Sequence, residues 1–353
     1  MNSASVVRIG SRQIGAGHPV FVIAEMSANH GHSLDRARDL LRAAKDAGAD
    51  AIKLQTYTPD TMTIACDREY FRIEGTIWNG RLLHDLYRDA CTPWEWHGPL
   101  KLYAEELGLQ LFSTPFDASA VDYLERLGTP AHKIASFELV DLPLLRTVAS
   151  TGKPVVLSTG MATREEIREA VGTLRSSGCE QLVLLKCTSA YPARADEMDL
   201  RTIPDLAREF RTPVGLSDHS LDIAVPVAAV ALGACVIEKH LTLSRSEPGP
   251  DSAFSLEPHE FRAMVDAVRT TEQALGAVRY GAREHERGSL AFRRSLFVTE
   301  DVSAGEMFTS RNVRSIRPAH GLHPRHLEEV LGRPASRAIH RGTPLTWDLV
   351  GPR

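Results

Sequence analysis

Eight short apolar runs, each closed by polar residues, constrain this chain more than any other feature. They are Val20–Met26, Ala51–Tyr57, Gln110–Phe116, His132–Glu138, Pro154–Gly160, Leu182–Ser189, Pro213–Ser220 and Cys235–Thr242. Between most of them lie stretches with apolar residues at three- and four-residue spacing. Leu34–Ala47, Arg164–Ser176, Ile223–Leu232 and Pro258–Leu275 read as amphipathic helices, with Pro258 suited to a first turn. Continuous apolar strands separated by helices predict a parallel sheet buried on both faces. Eight such units over about 270 residues predict a (β/α)8 barrel, an α/β fold, rather than an open sheet.

The tail differs. Arg279–Gly288 is charged and turn-rich and reads as a linker. Beyond it, Ser295–Val298 and Val313–Ile316 are strand-like pieces among glycines and prolines. The expected division is a barrel domain over 1–278, a linker over 279–290 and a small β-rich domain over 291–353. One connection inside the barrel is long, Pro59 to Pro93, and rich in aromatics. It reads as an ordered lid or wall.

The chain has 353 residues, 43% of them hydrophobic and 24% charged, with a formal net charge of −4. That balance argues against a nucleic-acid or membrane-surface binder, which would carry a basic excess. It leaves room for an anionic small substrate held in one basic pocket. The five cysteines are scattered and form no C-x-x-C pair, so no disulfide frame or zinc ribbon is readable. No secretory leader or membrane span is readable either, and the expected location is the cytoplasm.

In a barrel of this kind the active site lies at the C-terminal ends of the strands. The residues there are Glu25, Lys53, Gln55, Thr114, Asp117, Lys133, Glu138, Ser158, Thr159, Thr188, Ser189, Ser217, Asp218, His219, Glu238 and His240. Residues two apart on a strand share a face, so Lys53 and Gln55, Ser217 and His219, and Glu238 and His240 are each expected to point into one pocket. A lysine inside a buried strand is costly unless paired. Each of Lys53 and Lys133 has a bland explanation in a nearby carboxylate such as Glu25 or Glu138. Two of them, among Ser158, Thr159, Ser189 and Ser217, read better as an anion cage. His219 and His240 end neighbouring strands and suit a divalent metal with open coordination positions. Asp251 follows the last strand in a Gly- and Pro-rich turn and is a candidate acceptor for a substrate hydroxyl.

The ordered segments FVIAEMSANHG, AIKLQTY, FSTPFD, KIASFE, LSTGM, LKCTSAYPA, GLSDHS, IEKHLTL and GPDSAFSLEPHEF resemble the sialic acid synthases. The tail, RRSLFV through SIRPAHGL to RGTPL, resembles their C-terminal antifreeze-like (SAF) domain. Within the family, GTIWNGRLLHDLYRDACTPWEWH looks like the pseudaminic acid synthase branch. Neuraminate synthases commonly carry Asn where this chain has Ser189.

The resemblance implies condensation of phosphoenolpyruvate (PEP) with a 2,4-diacetamido-2,4,6-trideoxy-hexose related to altrose. The alternative within the family is an N-acetylneuraminate or legionaminate synthase. It implies that His219 and His240 hold Mn2+, with Mg2+ or Co2+ as alternatives. Lys53, Thr114, Lys133, Ser158, Ser189 and Ser217 would surround PEP. Glu25 and Glu138 would be the acidic groups near the reacting carbons. Gln55, Tyr191 and Asp251 would contact the sugar, joined by Arg317 from the SAF domain of a partner in a domain-swapped homodimer. Outside the family, a Schiff-base aldolase would make Lys53 or Lys133 the nucleophile, and a decayed barrel would be a binding protein only.

Overall fold

The structure, a computed structural model, describes residues 6–352. It opens with an antiparallel hairpin absent from the sequence reading, β1 (Val7–Ile9) and β2 (Arg12–Ile14). The barrel strands follow: β3 (Phe21–Glu25), β4 (Ala51–Thr56), β5 (Gln110–Pro115), β6 (His132–Ile134), β7 (Val155–Ser158), β8 (Leu182–Cys187), β9 (Val214–Asp218) and β10 (Val236–His240). They pair in parallel and in sequence, and β10 closes onto β3. The (β/α)8 barrel predicted from the apolar runs is therefore the observed fold.

One run behaves differently. In His132–Glu138 the strand stops at Ile134, and Ser136–Glu138 turns into a 3-10 helix. Glu138 thus sits on a turn above the barrel rather than on a strand end.

The two-residue strand period divides the core into two layers. Val22 and Ala24 of β3 face outward and join helix residues such as Leu40 and Leu41. Phe21 and Ile23 face inward and meet Phe112, Val156, Val183 and Leu185. Val7, Ile9 and Ile14 of the hairpin belong to that inner cluster, so the hairpin closes the N-terminal end of the barrel. Each such buried side chain stabilises the fold by about 1.5–3 kcal/mol. Gly215 of β9 faces this interior, where a Cβ would run into the Val236 carbonyl and the Leu185 side chain.

The four expected helices are present at Leu34–Asp46, Arg164–Ser176, Ala224–Ala231 and Pro258–Leu275. Their starts carry the local chemistry that ends a loop. Ser33 accepts from the Arg36 N–H, Thr163 and Glu166 form a capping box, and Pro258 occupies the first turn. Further helices cover Trp94–Leu107, Ala118–Leu127, Leu142–Ser150 and Thr202–Phe210. Asp117 caps the second of these through the Ser119 and Ala120 N–H groups, so it serves structure rather than the site.

The chain divides into two compact units, the first ending at Gly276 and the second beginning at Ala277. The second unit begins with the linker-like stretch, which carries a 3-10 run over Glu284–Phe292 with no buried residue. Its strands β11 (Ser295–Val298) and β12 (Val313–Ile316) pair antiparallel. Leu296, Val298, Phe308, Val313, Val330 and Leu345 form its own small core. Among the described residues, no helix is long and apolar enough to cross a membrane.

Candidate active site

Inward-facing positions of several strands switch from apolar to polar or charged near the C-terminal end. In β3, Phe21 and Ile23 give way to Glu25; in β4, Ala51 gives way to Lys53 and Gln55. Register places Glu25 beside Lys53 on one side and His240 on the other, and Glu238 beside Ser217. The outcome is a charged layer directly above the apolar inner core.

Lys53 Nζ lies 2.5 Å from Glu25 Oε2 and 3.5 Å from Glu238 Oε1, and donates to Thr114 Oγ1 at 3.3 Å. Lys133 Nζ donates to Ser158 Oγ at 2.7 Å and to the Ile134 carbonyl at 3.0 Å, and lies 3.7 Å from Glu238 Oε1. Ser217 Oγ donates to that same oxygen at 3.1 Å. Both lysines are buried, with 4% and 1% exposure. Their carboxylate partners differ from the sequence expectation. Glu25 pairs with Lys53 as anticipated, whereas Glu238, expected beside the histidine pair, serves both lysines.

The carboxyl groups separate by environment. Burial acts to raise Glu238, but the two lysines outweigh it and hold it below the usual carboxylate range. Burial pushes Glu25 upward, reinforced by Glu238 and opposed by Lys53. Burial also raises Glu138, to about 7. Glu238 is thus the fixed counter-charge, while Glu25 and Glu138 are groups able to exchange a proton near neutrality.

Ser189 and Ser136 gather around Gly160. A Cβ on Gly160 would fall on Ser189 Oγ and Ser136 Oγ, and the Gly160 N–H donates to Ser136 Oγ at 3.0 Å. Ser136 was missed because it precedes a turn that read as strand. Its signal is the KIASFE segment, where a small polar residue lies three positions after the buried lysine.

His219 lies one residue beyond β9, and His240 ends β10, with ring centroids 5.4 Å apart. His219 Nδ1 is 3.0 Å from the Thr188 carbonyl, which only accepts, so Nδ1 carries the proton and Nε2 keeps its lone pair. The Cys187 sulfur, 3.9 Å from the same nitrogen, is the weaker partner. Burial holds His240 well below its ordinary pKa, as a neutral imidazole, and its Nδ1 is buried with no hydrogen-bond partner. Among the described residues no group of three or more His, Cys, Asp and Glu side chains is placed to hold a metal ion. His240 Nδ1 and His219 Nε2, neither of them engaged in a hydrogen bond, nonetheless fit an ion whose remaining positions go to substrate or water.

Above this layer opens a cavity of about 410 Å3. Gln55, Glu138, Tyr191, His240 and Asp251 line it, together with Ser27, which the sequence reading overlooked. Tyr191 packs on His219 with centroids 4.5 Å apart and on Phe254 at 5.0 Å. The long connection supplies an apolar wall through Met62, Ile73, Trp78, Leu83 and Leu86. Trp78 Nε1 donates to the Pro250 carbonyl at 2.9 Å and so ties that wall to the Asp251 turn.

Asp218 does not join the site. It faces outward and is paired with Lys239 at 2.5 Å, both fully buried. Arg317 lies in the second unit, immediately after β12.

A closed parallel barrel with lysines, histidines and carboxylates at one rim, followed by a small β unit, defines a two-domain barrel enzyme. The chain belongs to the NeuB family, whose model matches residues 40–280, and a SAF domain matches residues 293–351. It is 47% identical over 326 residues to a pseudaminic acid synthase of Campylobacter jejuni, covering 92% of this chain and 95% of that protein. It is 35% identical to an N,N'-diacetyllegionaminic acid synthase of Legionella pneumophila, covering 96% and 97%. The crystal structure of an N-acetylneuraminic acid synthetase from Leptospira borgpetersenii, in complex with citrate, aligns with a TM-score of 0.73. It shares 30% identity and covers 82% of this chain and 97% of that one. The expected sialic acid synthase family, and its pseudaminic branch, are thus the relatives found.

Proposed function

We propose that the cavity condenses PEP with 2,4-diacetamido-2,4,6-trideoxy-altrose and releases phosphate with a nine-carbon 2-keto sugar acid. The observation that carries this reading is the convergence of buried Lys53 and Lys133 on one carboxylate, directly beneath a cavity walled by apolar groups. The lysines, with Thr114, Ser158, Ser189 and Ser217, meet the phosphate and carboxylate of PEP. The apolar wall of Met62, Ile73, Leu83 and Leu86 suits the methyl groups of a deoxy, doubly acetylated sugar.

The residues act as follows. Lys53 and Lys133 neutralise PEP and stabilise charge on its phosphate as the reaction proceeds. Gln55, Tyr191 and Asp251 hold the open-chain sugar so that its aldehyde carbon faces C3 of PEP. C3 attacks that carbon, and water adds to the electron-poor C2. Glu25, whose burial favours proton uptake, accepts the proton of that water, with Glu138 as the second candidate. The C2 adduct then collapses with cleavage of the C–O bond to phosphate. A divalent ion, Mn2+ in our reading with Mg2+ or Co2+ as alternatives, would be held by His219 and His240 and would supply Lewis-acid polarisation of the aldehyde. Arg317 completes the sugar site from the partner's second unit in a domain-swapped homodimer. We assign the reaction to the cytoplasm, the compartment in which PEP is formed.

The test is phosphate release from PEP with a panel of amino sugars. Turnover with the diacetamido-trideoxy-altrose above its legionaminate and neuraminate counterparts is expected. Label in the bridging oxygen of PEP should leave with phosphate; its retention in the sugar acid would rule out C–O cleavage.

A further inference from the structure

Among the described residues, five that are not glycine have φ in the left-handed region, and Ser27 is the only one of these that is buried. Its φ is 44° and its exposure is 2%. Glycine would hold this conformation without a Cβ clash. A strained conformation buried beside an active cavity points to work done by the side chain. Here that side chain is a hydroxyl, and it joins three parts of the barrel.

Ser27 Oγ donates to Asp251 Oδ2 and accepts from Gln55 Nε2 at 3.0 Å, while its backbone N–H donates to Glu25 Oε1 at 2.8 Å. The directions follow from chemistry. Asp251 Oδ2 also receives the Ala28 backbone N–H, so it acts as an acceptor and the serine proton goes to it. The oxygen of Ser27 then has lone pairs to offer, so Gln55 must bring its NH2 group. That fixes the amide and leaves the Gln55 carbonyl oxygen unengaged. Both hydrogen bonds to the Asp251 side chain fall on Oδ2, which leaves Oδ1 unengaged as well. Ser27, Gln55 and Asp251 all line the cavity.

We propose that Ser27 is a positioning residue: it turns Gln55 and Asp251 so that each presents an acceptor oxygen to an N–H or O–H donor of the amino sugar. The inference rests on the functional reading above and extends it, because it assigns donors rather than acceptors to the sugar positions read by this pair. The acetamido N–H groups and hydroxyls of the substrate have that character.

The test uses full-length S27A, S27G, D251N and S27A/D251N proteins, assayed with whichever amino sugar the wild type turns over. In S27A and S27G the sugar KM is expected to rise about tenfold or more, while the PEP KM stays within about twofold. Both variants lose the hydroxyl, but glycine also relieves the backbone, so S27G should melt at a higher temperature than S27A at the same sugar KM. In the double variant the sugar KM should be no worse than in D251N alone, because the serine acts through the aspartate. An unchanged sugar KM in active S27A overturns the proposal. So do equal rises in both KM values, which would mark a merely structural role, and so does a fully additive double variant. A wild type that consumes PEP with none of the sugars overturns the functional reading and this inference with it.

Discussion

Lys53 and Lys133, on strands β4 and β6, approach one and the same oxygen, Glu238 Oε1, at 3.5 and 3.7 Å. One buried carboxylate therefore holds two buried ammonium groups in place before any anion arrives. Glu238→Gln removes that counter-charge, and an unpaired buried ion of this kind costs about 3–5 kcal/mol. The variant should unfold at lower denaturant, and added PEP should restore its stability by more than it stabilises the wild type. Equal stabilisation of both proteins by PEP would argue against the lysines as its binding site.

Removing the metal should abolish turnover, and readdition of Mn2+ should restore it. Binding itself is the sharper readout. Electron paramagnetic resonance should show Mn2+ binding to the wild type and none to His240→Ala, with an unchanged circular dichroism spectrum. Full activity in metal-stripped His240→Ala would sink the assignment.

Glu138 gives a pH dependence whose sign can be worked out. Its carboxyl rises from the usual 4.5 to about 7 on folding, chiefly through burial. Between those values the native protein holds a proton that the unfolded chain has lost, so stability contributed by this group is greatest below pH 4.5 and is lost as pH rises towards 7. Glu138 retains some exposure, so the effect is of the order of 1–2 kcal/mol. Glu138→Gln should remove it, making the variant relatively more stable at pH 8 than at pH 5 when compared with the wild type by denaturant titration.

Trp78 links the long connection to the Asp251 turn through its bond to the Pro250 carbonyl and its packing on Tyr191 at 5.6 Å. Trp78→Ala should raise the sugar KM and destabilise the protein by about 1–3 kcal/mol, less than a fully buried tryptophan because the residue is only partly buried. Steady-state kinetics with sugar and PEP varied separately would show it, and a rise confined to the PEP KM would contradict the wall's role.

Arg317 permits a complementation test of the proposed swapped dimer. Arg317→Ala should raise the sugar KM more than the PEP KM. Mixing Glu25→Gln with Arg317→Ala subunits, after dissociation and reassociation, should recover activity above either parent. Each mixed dimer then contains one barrel with Glu25 intact and a partner lending Arg317. No recovery would place the arginine in its own subunit's site, or in none.

Much of this was legible in the sequence because the barrel's code is local. Apolar runs mark strands, and a charged residue breaking an inward-facing run, as Lys53 and Lys133 do, marks the rim. What escaped depended on contacts between distant segments. Glu138 was read as strand because Ser136–Glu138 continues an apolar run, whereas the chain turns there into a 3-10 helix. Asp218 and Ser217 are adjacent in sequence, yet the strand period sends one outward to Lys239 and the other inward to Glu238. Ser27 gave no signal at all, since neither its backbone angle nor its bonds to Gln55 and Asp251 can be read from its neighbours. The hairpin over residues 7–14 was missed because each of its strands is only three residues long.

That hairpin has a kinetic consequence. With Val7, Ile9 and Ile14 sealing the floor over the apolar inner core, the described barrel opens at one end, and the lysines lie beneath the cavity proposed to receive the sugar. Traffic through one door must be ordered by depth. PEP should load before the sugar, the nine-carbon acid should depart first, and phosphate should leave last. Inorganic phosphate should therefore inhibit competitively against PEP.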